Sequence, residues 1–214
     1  MAPMMTPAFR TSARLALPAL AALALAGCDN NPLVVNRSSC PAVAVAAYAG
    51  DISLFRPGPP DVANLDLVAS ITNVRDTCVE TAEFFQSRIT YDVVARRTDT
   101  TAARSVTLPL FVAMVQAGNL VNAKQIAQVQ VKFAAGQERA LASGTADVSV
   151  SRRAAAVSAE ILGKINRNRK PGEIDAATDP MADPEVRAAL RAASFEVLLG
   201  FQLDDQSLAY NVAK

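Results

Sequence analysis

Histidine and tryptophan are both absent from this 214-residue chain, and phenylalanine and tyrosine together make up only 5% of it. Histidine is the side chain whose unperturbed pKa lies closest to neutral pH. Its absence excludes Ser-His-Asp and Cys-His hydrolases, HExxH metalloproteases and histidine proton shuttles. No serine is followed three residues later by lysine, and no Gly-rich phosphate-binding loop is present. The sequence therefore assigns no catalytic residue and no cofactor.

The chain also lacks an excess of charge, since it has 21 basic and 20 acidic residues. A nearly neutral protein has no bulk charge with which to hold nucleic acid. Aromatic residues that could stack on bases are missing from the basic part of the chain, because none lies between Phe133 and Phe195. Nucleic acid is therefore not an expected partner.

Residues 1–27 have the order of segments that is typical of a secretory signal peptide. Arg10 and Arg14 lie in a stretch without acidic residues, and the apolar run from Leu15 to Leu25 follows them. An apolar helix of about 11 residues reaches roughly 17 Å, well short of the ~30 Å hydrocarbon core of a bilayer. We therefore expect this segment to direct export and not to form a stable membrane span.

The end of the segment resembles the lipobox of bacterial lipoproteins, with Leu25, Ala26 and Gly27 directly before Cys28. The resemblance implies cleavage between Gly27 and Cys28 and attachment of fatty acyl chains, palmitate among them, to Cys28. Several chains at ~0.8 kcal/mol per buried CH₂ make such an anchor effectively permanent. Asp29 resembles an inner-membrane retention signal, but the choice between inner and outer membrane stays open. The alternative is an ordinary secreted protein cleaved near Ala26.

Assigning Cys28 to lipid leaves Cys40 and Cys78 as an even pair. Disulfides persist in exported proteins, so we expect these two residues to form one. The alternative is two buried free thiols. No metal site is expected, because two isolated thiols without histidine cannot complete a tetrahedral zinc shell.

After a tether at residues 28–39, the chain from 40 to 214 has the pattern of one mainly β domain. Apolar and polar residues alternate from Leu65 and again from Ile89, as in half-buried strands. The connections are too short for crossover helices, so the strands should pair antiparallel. We predict an antiparallel β-sandwich, immunoglobulin-like or fibronectin-like. Further strands are expected near residues 42–48, 52–55, 106–116, 125–135, 145–152 and 195–203.

Several local features accompany this fold prediction. Pro109 is expected on an edge strand or at a bulge, because proline cannot donate to a sheet. Turns or loops are predicted at Arg75 to Thr77, at 99–105 as a hairpin, and at 136–144.

An excursion from the sandwich is predicted at about residues 166–193. The segment 154–165 fits a helix or a strand, whereas Asp183-Pro184 is typical of a helix start. Asp204 should cap a last helical turn. The segment from Phe195 to Asn211 resembles the endings of small exported lipoproteins of alphaproteobacteria that have no assigned function.

Two groups of charged residues are candidates for a site. Paired carboxylates could act on a polysaccharide, and the acidic loop could instead bind calcium or be an ordinary solvated loop. A basic group could contact anionic lipid or glycan, or could equally be solvated. The acids are Glu80, Glu83, Glu173, Asp175, Asp179, Asp183 and Glu185, and the basic residues are Lys164, Arg167, Arg169 and Lys170.

These observations favour a protein of the bacterial cell envelope, held by lipid on Cys28 to a membrane that faces the periplasm. We expect a non-catalytic binding or envelope-assembly module with a protein partner of the envelope. The alternative is an envelope polysaccharide enzyme that uses paired carboxylates. The Pro109 edge and the 166–193 excursion are the first candidates for the surface that binds such a partner.

Overall fold

The computed structural model of the protein describes residues 39–170, 172–174 and 177–213. The predicted signal peptide, the cleavage and lipidation site at Gly27 and Cys28, and the tether up to residue 38 lie outside these ranges, as does Asp175 of the acidic group.

Strands of the described part form two four-stranded sheets. Sheet A has the order β1-β8-β5-β6, and sheet B has the order β2-β3-β4-β7. Neighbouring strands are antiparallel, except that β1 runs parallel to β8. The strands are β1 Ala42–Val45, β2 Asp51–Phe55, β3 Leu65–Glu80, β4 Phe84–Arg97, β5 Arg104–Gln116, β6 Leu120–Phe133, β7 Arg139–Ser151 and β8 Phe195–Phe201.

The strand directions give the sandwich two different ends. We call proximal the end at which the chain enters β1, directly after Cys40, and distal the opposite end. The hairpin turns 81–83 and 117–119 lie at the proximal end, together with the insertion 152–194 between β7 and β8. The connections 98–103 and 134–138, which cross from one sheet to the other, lie at the distal end.

The inner faces of the two sheets pack against each other. Alternate side chains point inward, such as Leu67 and Ile89 from sheet B and Leu108 and Leu199 from sheet A, all of them fully buried. This is the two-residue period expected of strands with one buried face. A second cluster of Phe85, Val150 and Phe195 extends the core at the proximal end.

Short helices occupy the insertion and the C-terminal segment. Ser158 and Asp183 cap the first two helices through their side-chain oxygens, as expected for N-cap residues. Asp204 accepts a hydrogen bond from the Ser207 backbone N–H at 2.7 Å at the start of the third helix. The helices are α1 Ala159–Asn166, α2 Pro184–Ala192 and α3 Asp205–Ala213, with 3-10 turns at Val62–Asn64 and Pro180–Ala182.

The prediction of a β-sandwich with a short helical insertion and a C-terminal helical turn is confirmed. The ambiguous segment 154–165 becomes helix α1, which begins at Ala159. The predicted helix start at Asp183-Pro184 is also confirmed.

Three local predictions are wrong, and a fourth is wrong in part. Residues Arg75 to Thr77 continue strand β3. The residues that suggested a turn lie at a bulge in this strand, next to Asn73, which has a positive φ of 51°. The segment 99–105 is not a hairpin loop, because β4 and β5 belong to different sheets. Residues 139–144 of the predicted loop form the start of β7.

Pro109 is the fourth correction, in part. Strand β5 is not an edge strand, because it has β6 on one side and β8 on the other, but β8 pairs only from Leu110 onward, so Pro109 itself has no strand on that side. The Gln202 backbone N–H donates to the Pro109 carbonyl at 2.9 Å. In an antiparallel strand the nitrogen of a residue points to the same side as its carbonyl. The missing N–H of Pro109 therefore faces the point where β8 ends, and the sheet loses little by it.

Candidate functional site

The outer faces of the two sheets differ strongly in chemistry. The outer face of sheet B carries cross-strand polar pairs, such as Arg88 with Asp147 at 2.8 Å and Arg96 with Glu138. Asp92 accepts hydrogen bonds from Asn73 at 2.8 Å and from Ser143 at 2.6 Å. These groups satisfy one another, so this face is an ordinary solvated surface.

The outer face of sheet A carries fewer charges than that of sheet B. Inward positions of β5, β6 and β8 alternate with outward ones, and most of the outward ones are apolar or neutral. Ile126 on the edge strand β6 is 58% exposed. We define this face by its neutral outward residues Ala42, Ala44, Thr107, Pro109, Phe111, Ala113, Ile126, Gln128, Leu198 and Gly200, with Lys124, Lys132 and Glu196 as the charged outward residues beside them.

Phe111 forms the centre of this face. Its register partners are Ile126 on one side and Gly200 on the other. A Cβ on Gly200 would lie 2.8 Å from the Phe111 ring and 2.9 Å from Ala49, so glycine is required for the ring to lie flat against β8. The Lys124 ammonium lies 4.8 Å from the centroid of the same ring, on the side toward the proximal end.

The helices leave this face open. Helix α3 lies against β2 at the opposite side of the sandwich, and α1 and α2 pack on each other within the insertion. Asn211 of α3 donates to the carbonyls of Tyr48 and Asp51 at 2.9 and 2.8 Å, which fixes α3 beside the β1–β2 connection. A sheet face is normally stabilised by burial against another layer, so an open and mainly apolar face is a candidate for contact with another molecule.

A groove adjoins the face where β6 and β7 separate toward the proximal end. It has a volume of about 300 Å³. Ala123 and Gln125 point toward the inside of the sandwich there but remain exposed, because β7 does not close over them. The lining residues are Val112, Met114, Ala123, Gln125, Asp147, Val148 and Ser149.

The charged residues predicted as site candidates in the excursion mostly neutralise one another. Lys164 contacts Glu185 at 2.5 Å, and Arg167 contacts Glu173 at 3.4 Å. Arg169 donates to the carbonyl of Lys164 at 3.3 Å. The basic half of the insertion is thus folded against its acidic half.

Asp179 and Asp183 line a cleft of about 440 Å³ in this insertion, together with Lys164 and Arg167. Each carboxylate is occupied in capping, because Asp179 accepts from the Met181 backbone N–H at 2.8 Å and Asp183 from that of Glu185 at 2.9 Å. The cleft brings two of the predicted acids together, but their carboxylates cap the N-termini of helical segments.

The remaining acids lie elsewhere. Glu80 contacts Arg152 at 3.3 Å at the end of β3, and Glu83 lies in the β3–β4 hairpin turn. Within residues 39–170, 172–174 and 177–213, no cluster of three or more Asp, Glu, Cys or His side chains could hold a metal ion.

Hydrogen bonds hold several carboxyls of the sandwich in the charged form. Each clear shift found for a carboxyl in the described ranges is downward: hydrogen bonds from Arg104 lower the pKa of Asp66, those from Ser143 and Asn73 lower that of Asp92, and that from Arg96 lowers that of Glu138. These carboxylates favour the charged form.

Cys40 and Cys78 form the predicted disulfide at the proximal end. Cys40 directly precedes β1 of sheet A, and Cys78 lies in β3 of sheet B, so the bond joins the two sheets where the chain enters the domain. Among the described helices, none has the length and apolar character needed to cross a membrane.

Sequence reasoning selected Pro109, which lies on the outer face of sheet A, but missed the rest of this face. A signal was present, because Phe111, Ile126 and Leu198 are apolar at positions where a half-buried strand would place polar residues. The alternation of apolar and polar residues describes a single strand, whereas the register between neighbouring strands brings these three side chains together. No protein-family model, curated protein or solved structure matches the chain.

Proposed function

We propose that this protein is a lipid-anchored module of the bacterial cell envelope that binds another protein through the outer face of sheet A. The observation that carries the binding role is the contrast between the two outer faces: polar side chains pair across the strands of sheet B, whereas exposed apolar residues surround Phe111 on sheet A. Exposed apolar surface of this kind is typical of a protein contact.

The anchoring role is supported by the lipobox-like sequence and by the point at which the chain enters the domain. Fully extended, the chain from Cys28 to Ser39 could span at most about 40 Å. The disulfide fixes Cys40 at the proximal end, so a membrane anchor at Cys28 would attach through that end.

The paired-carboxylate alternative gains no support from the site. Asp179 and Asp183 share a cleft wall, but they cap the adjacent helical turns. We therefore do not develop a polysaccharide-cleaving mechanism.

The anchor is tested on the full chain expressed with its native N-terminus. Mass spectrometry of the membrane fraction should find an acylated Cys28 as the first residue, and Cys28→Ser should release the domain from membranes or leave the precursor uncleaved. A mutant that is processed normally and still floats with membranes would contradict the proposal.

The binding role is tested with a photo-crosslinking side chain placed at Ile126, on the outer face of sheet A. Leu141 is the matched control, because it is 62% exposed, lies on edge strand β7 and faces outward from sheet B. We expect an adduct of one discrete mass from position 126 and none from 141. Equal adduct patterns at the two positions would overturn the assignment of the binding surface.

A further inference from the structure

We propose that the outer face of sheet A is covered by a second copy of this chain, in a dimer whose two-fold axis runs along β5. This inference names the occupant of the surface on which the proposed binding function rests. A two-fold interface requires one patch that is complementary to itself. The face around Phe111 is mainly apolar, as such a patch needs, with the Lys124 ammonium at one side of the ring.

The size of the face is adequate for this contact. Strand spacing and rise give sheet A a flat area of roughly 600 Å², and its side chains raise the accessible area further. A standard protein interface buries about 800 Å² per partner. The face can therefore supply an interface of ordinary size without help from the helices.

Charges on either side of β5 set the orientation. Lys124 on β6 and Leu198 on β8 both pair with Ala113, and Glu196 lies two residues before Leu198. Both charged side chains are exposed, and neither forms an ion pair within the described residues.

An axis along β5 places β6 of one copy over β8 of the other. The offset between Lys124 and the partner's Glu196 is then about 7 Å along the strand, which a long side chain can cover. Two symmetric ion pairs result, one at each side of the apolar centre.

The same axis is the one that suits an anchored protein. A two-fold axis parallel to the strands puts both proximal ends at the same end of the dimer. Both copies could then be held by lipid in one bilayer. An axis perpendicular to the strands would place the two proximal ends at opposite ends of the dimer, so that the tethers would have to reach the bilayer from two separate points.

Cysteine cross-linking tests the face and the axis together. Thr107 is exposed on the outward side of β5, so it should face its own counterpart across the axis. Facing sheets lie about 10 Å apart, which is beyond the reach of a direct disulfide. We therefore expect Thr107→Cys to give a covalent dimer when intact membranes are treated with a short bis-maleimide cross-linker. Thr90→Cys, exposed on the outer face of sheet B, is the control for collisions between anchored copies. Equal cross-linking at both positions, or none at Thr107→Cys, would overturn the proposal.

A charge exchange tests the ion pairs. Lys124→Glu and Glu196→Lys should each weaken dimerisation about tenfold, through loss of two rim pairs and new repulsion. The double variant should recover most of this loss, because the pairs form again with reversed signs. Single variants that dimerise as well as the wild type, or a double variant weaker than both, would contradict this arrangement.

The outcome is separable from that of the anchor. Thr107→Cys combined with Cys28→Ser should still cross-link in solution, since the interface lies wholly in the sandwich. If the unmutated chain also cross-links, Cys28 carries a free thiol, and this would count against the anchor. Whether the dimer exists would then be judged from the difference in cross-linking between Thr107→Cys and Thr90→Cys.

Discussion

Arg97 is a charged side chain with only 2% of its surface exposed. Its guanidinium donates to the carbonyls of Ala102 at 2.7 Å, Ala134 at 2.8 Å and Gln137 at 2.9 Å, and it lies 4.9 Å from the centroid of the Phe133 ring. These carbonyls belong to the two connections that cross between the sheets at the distal end. One side chain thus replaces the water that these backbone groups would otherwise bind.

Replacing Arg97 by Met should lower the free energy of unfolding by about 3 kcal/mol, because several buried carbonyls lose their donors. Urea denaturation measures this loss. The neighbour Arg96 is the matched control, since its ion pair with Glu138 is solvent-exposed and Arg96→Met should cost at most about 1 kcal/mol. Equal losses for the two variants would show that Arg97 does not organise the loops.

Asp66 and Arg104 form a two-point ion pair at the same end, with distances of 2.6 and 2.8 Å. Hydrogen bonding from Arg104 lowers the pKa of Asp66 below the ordinary value for an aspartate carboxyl. A carboxyl whose pKa is lower in the folded state stabilises the protein above its unfolded pKa, and this contribution disappears as the pH falls through the folded pKa.

The variant Asp66→Asn should therefore be less stable than the wild type by about 1 kcal/mol at neutral pH. The difference should shrink as the pH falls from about 3.8, where the unfolded carboxyl takes up its proton, and disappear below the lower pKa of the folded state. Thermal unfolding of both proteins across this range measures it. A difference that is constant with pH would mean that the ionised pair contributes nothing to stability.

At the scale of an element, strand β7 shows why a loop prediction failed. Its inward residues Ala140, Ala142, Gly144 and Ala146 are small, and without apolar alternation the segment resembles a loop. A Cβ on Gly144 would lie 2.4 Å from the ring and hydroxyl of Tyr91, its register partner on β4. The small residues of β7 are therefore matched to a large side chain on the neighbouring strand.

Gly144→Ala should destabilise the fold by about 2 kcal/mol, because the added methyl group overpacks the contact with Tyr91. Part of this loss should be recovered in the double variant with Tyr91→Leu, which removes the obstructing atoms. A double-mutant cycle from chemical denaturation gives the coupling. Strictly additive losses would show that Gly144 is required for some reason other than Tyr91.

At the scale of the whole molecule, the disulfide joins sheet A to sheet B at the proximal end. It closes a loop with a sequence separation of 38 residues. The chain-entropy model gives such a cross-link a stabilisation of about 4 kcal/mol.

Replacing Cys40 and Cys78 together by Ser should therefore lower the free energy of unfolding by about 3 to 4 kcal/mol. Thiol titration of the denatured, unreduced wild-type protein should find no free thiol from either residue. Two reactive thiols from Cys40 and Cys78 would refute the disulfide. A double variant of unchanged stability would show that the closed loop does not constrain the unfolded chain.

Much of the fold could be predicted from the sequence because its signals are local. The alternation through Ile89, Tyr91 and Val93 determined β4, and the Asp183-Pro184 pair determined the start of α2. The count of cysteines predicted the disulfide of Cys40 and Cys78, because the third cysteine, Cys28, was expected to carry lipid. Each inference required only neighbouring residues or the composition of the chain.

The candidate site was decided by tertiary structure. The sequence shows a proline at position 109, but whether β5 can accommodate it depends on where β8 ends. Phe111, Ile126 and Leu198 lie far apart in the chain, and only the order and register of sheet A place them on one face. Local pattern determined which segments became strands, whereas the pairing of distant strands decided which side chains lie together, because register is a property of two segments and not of one.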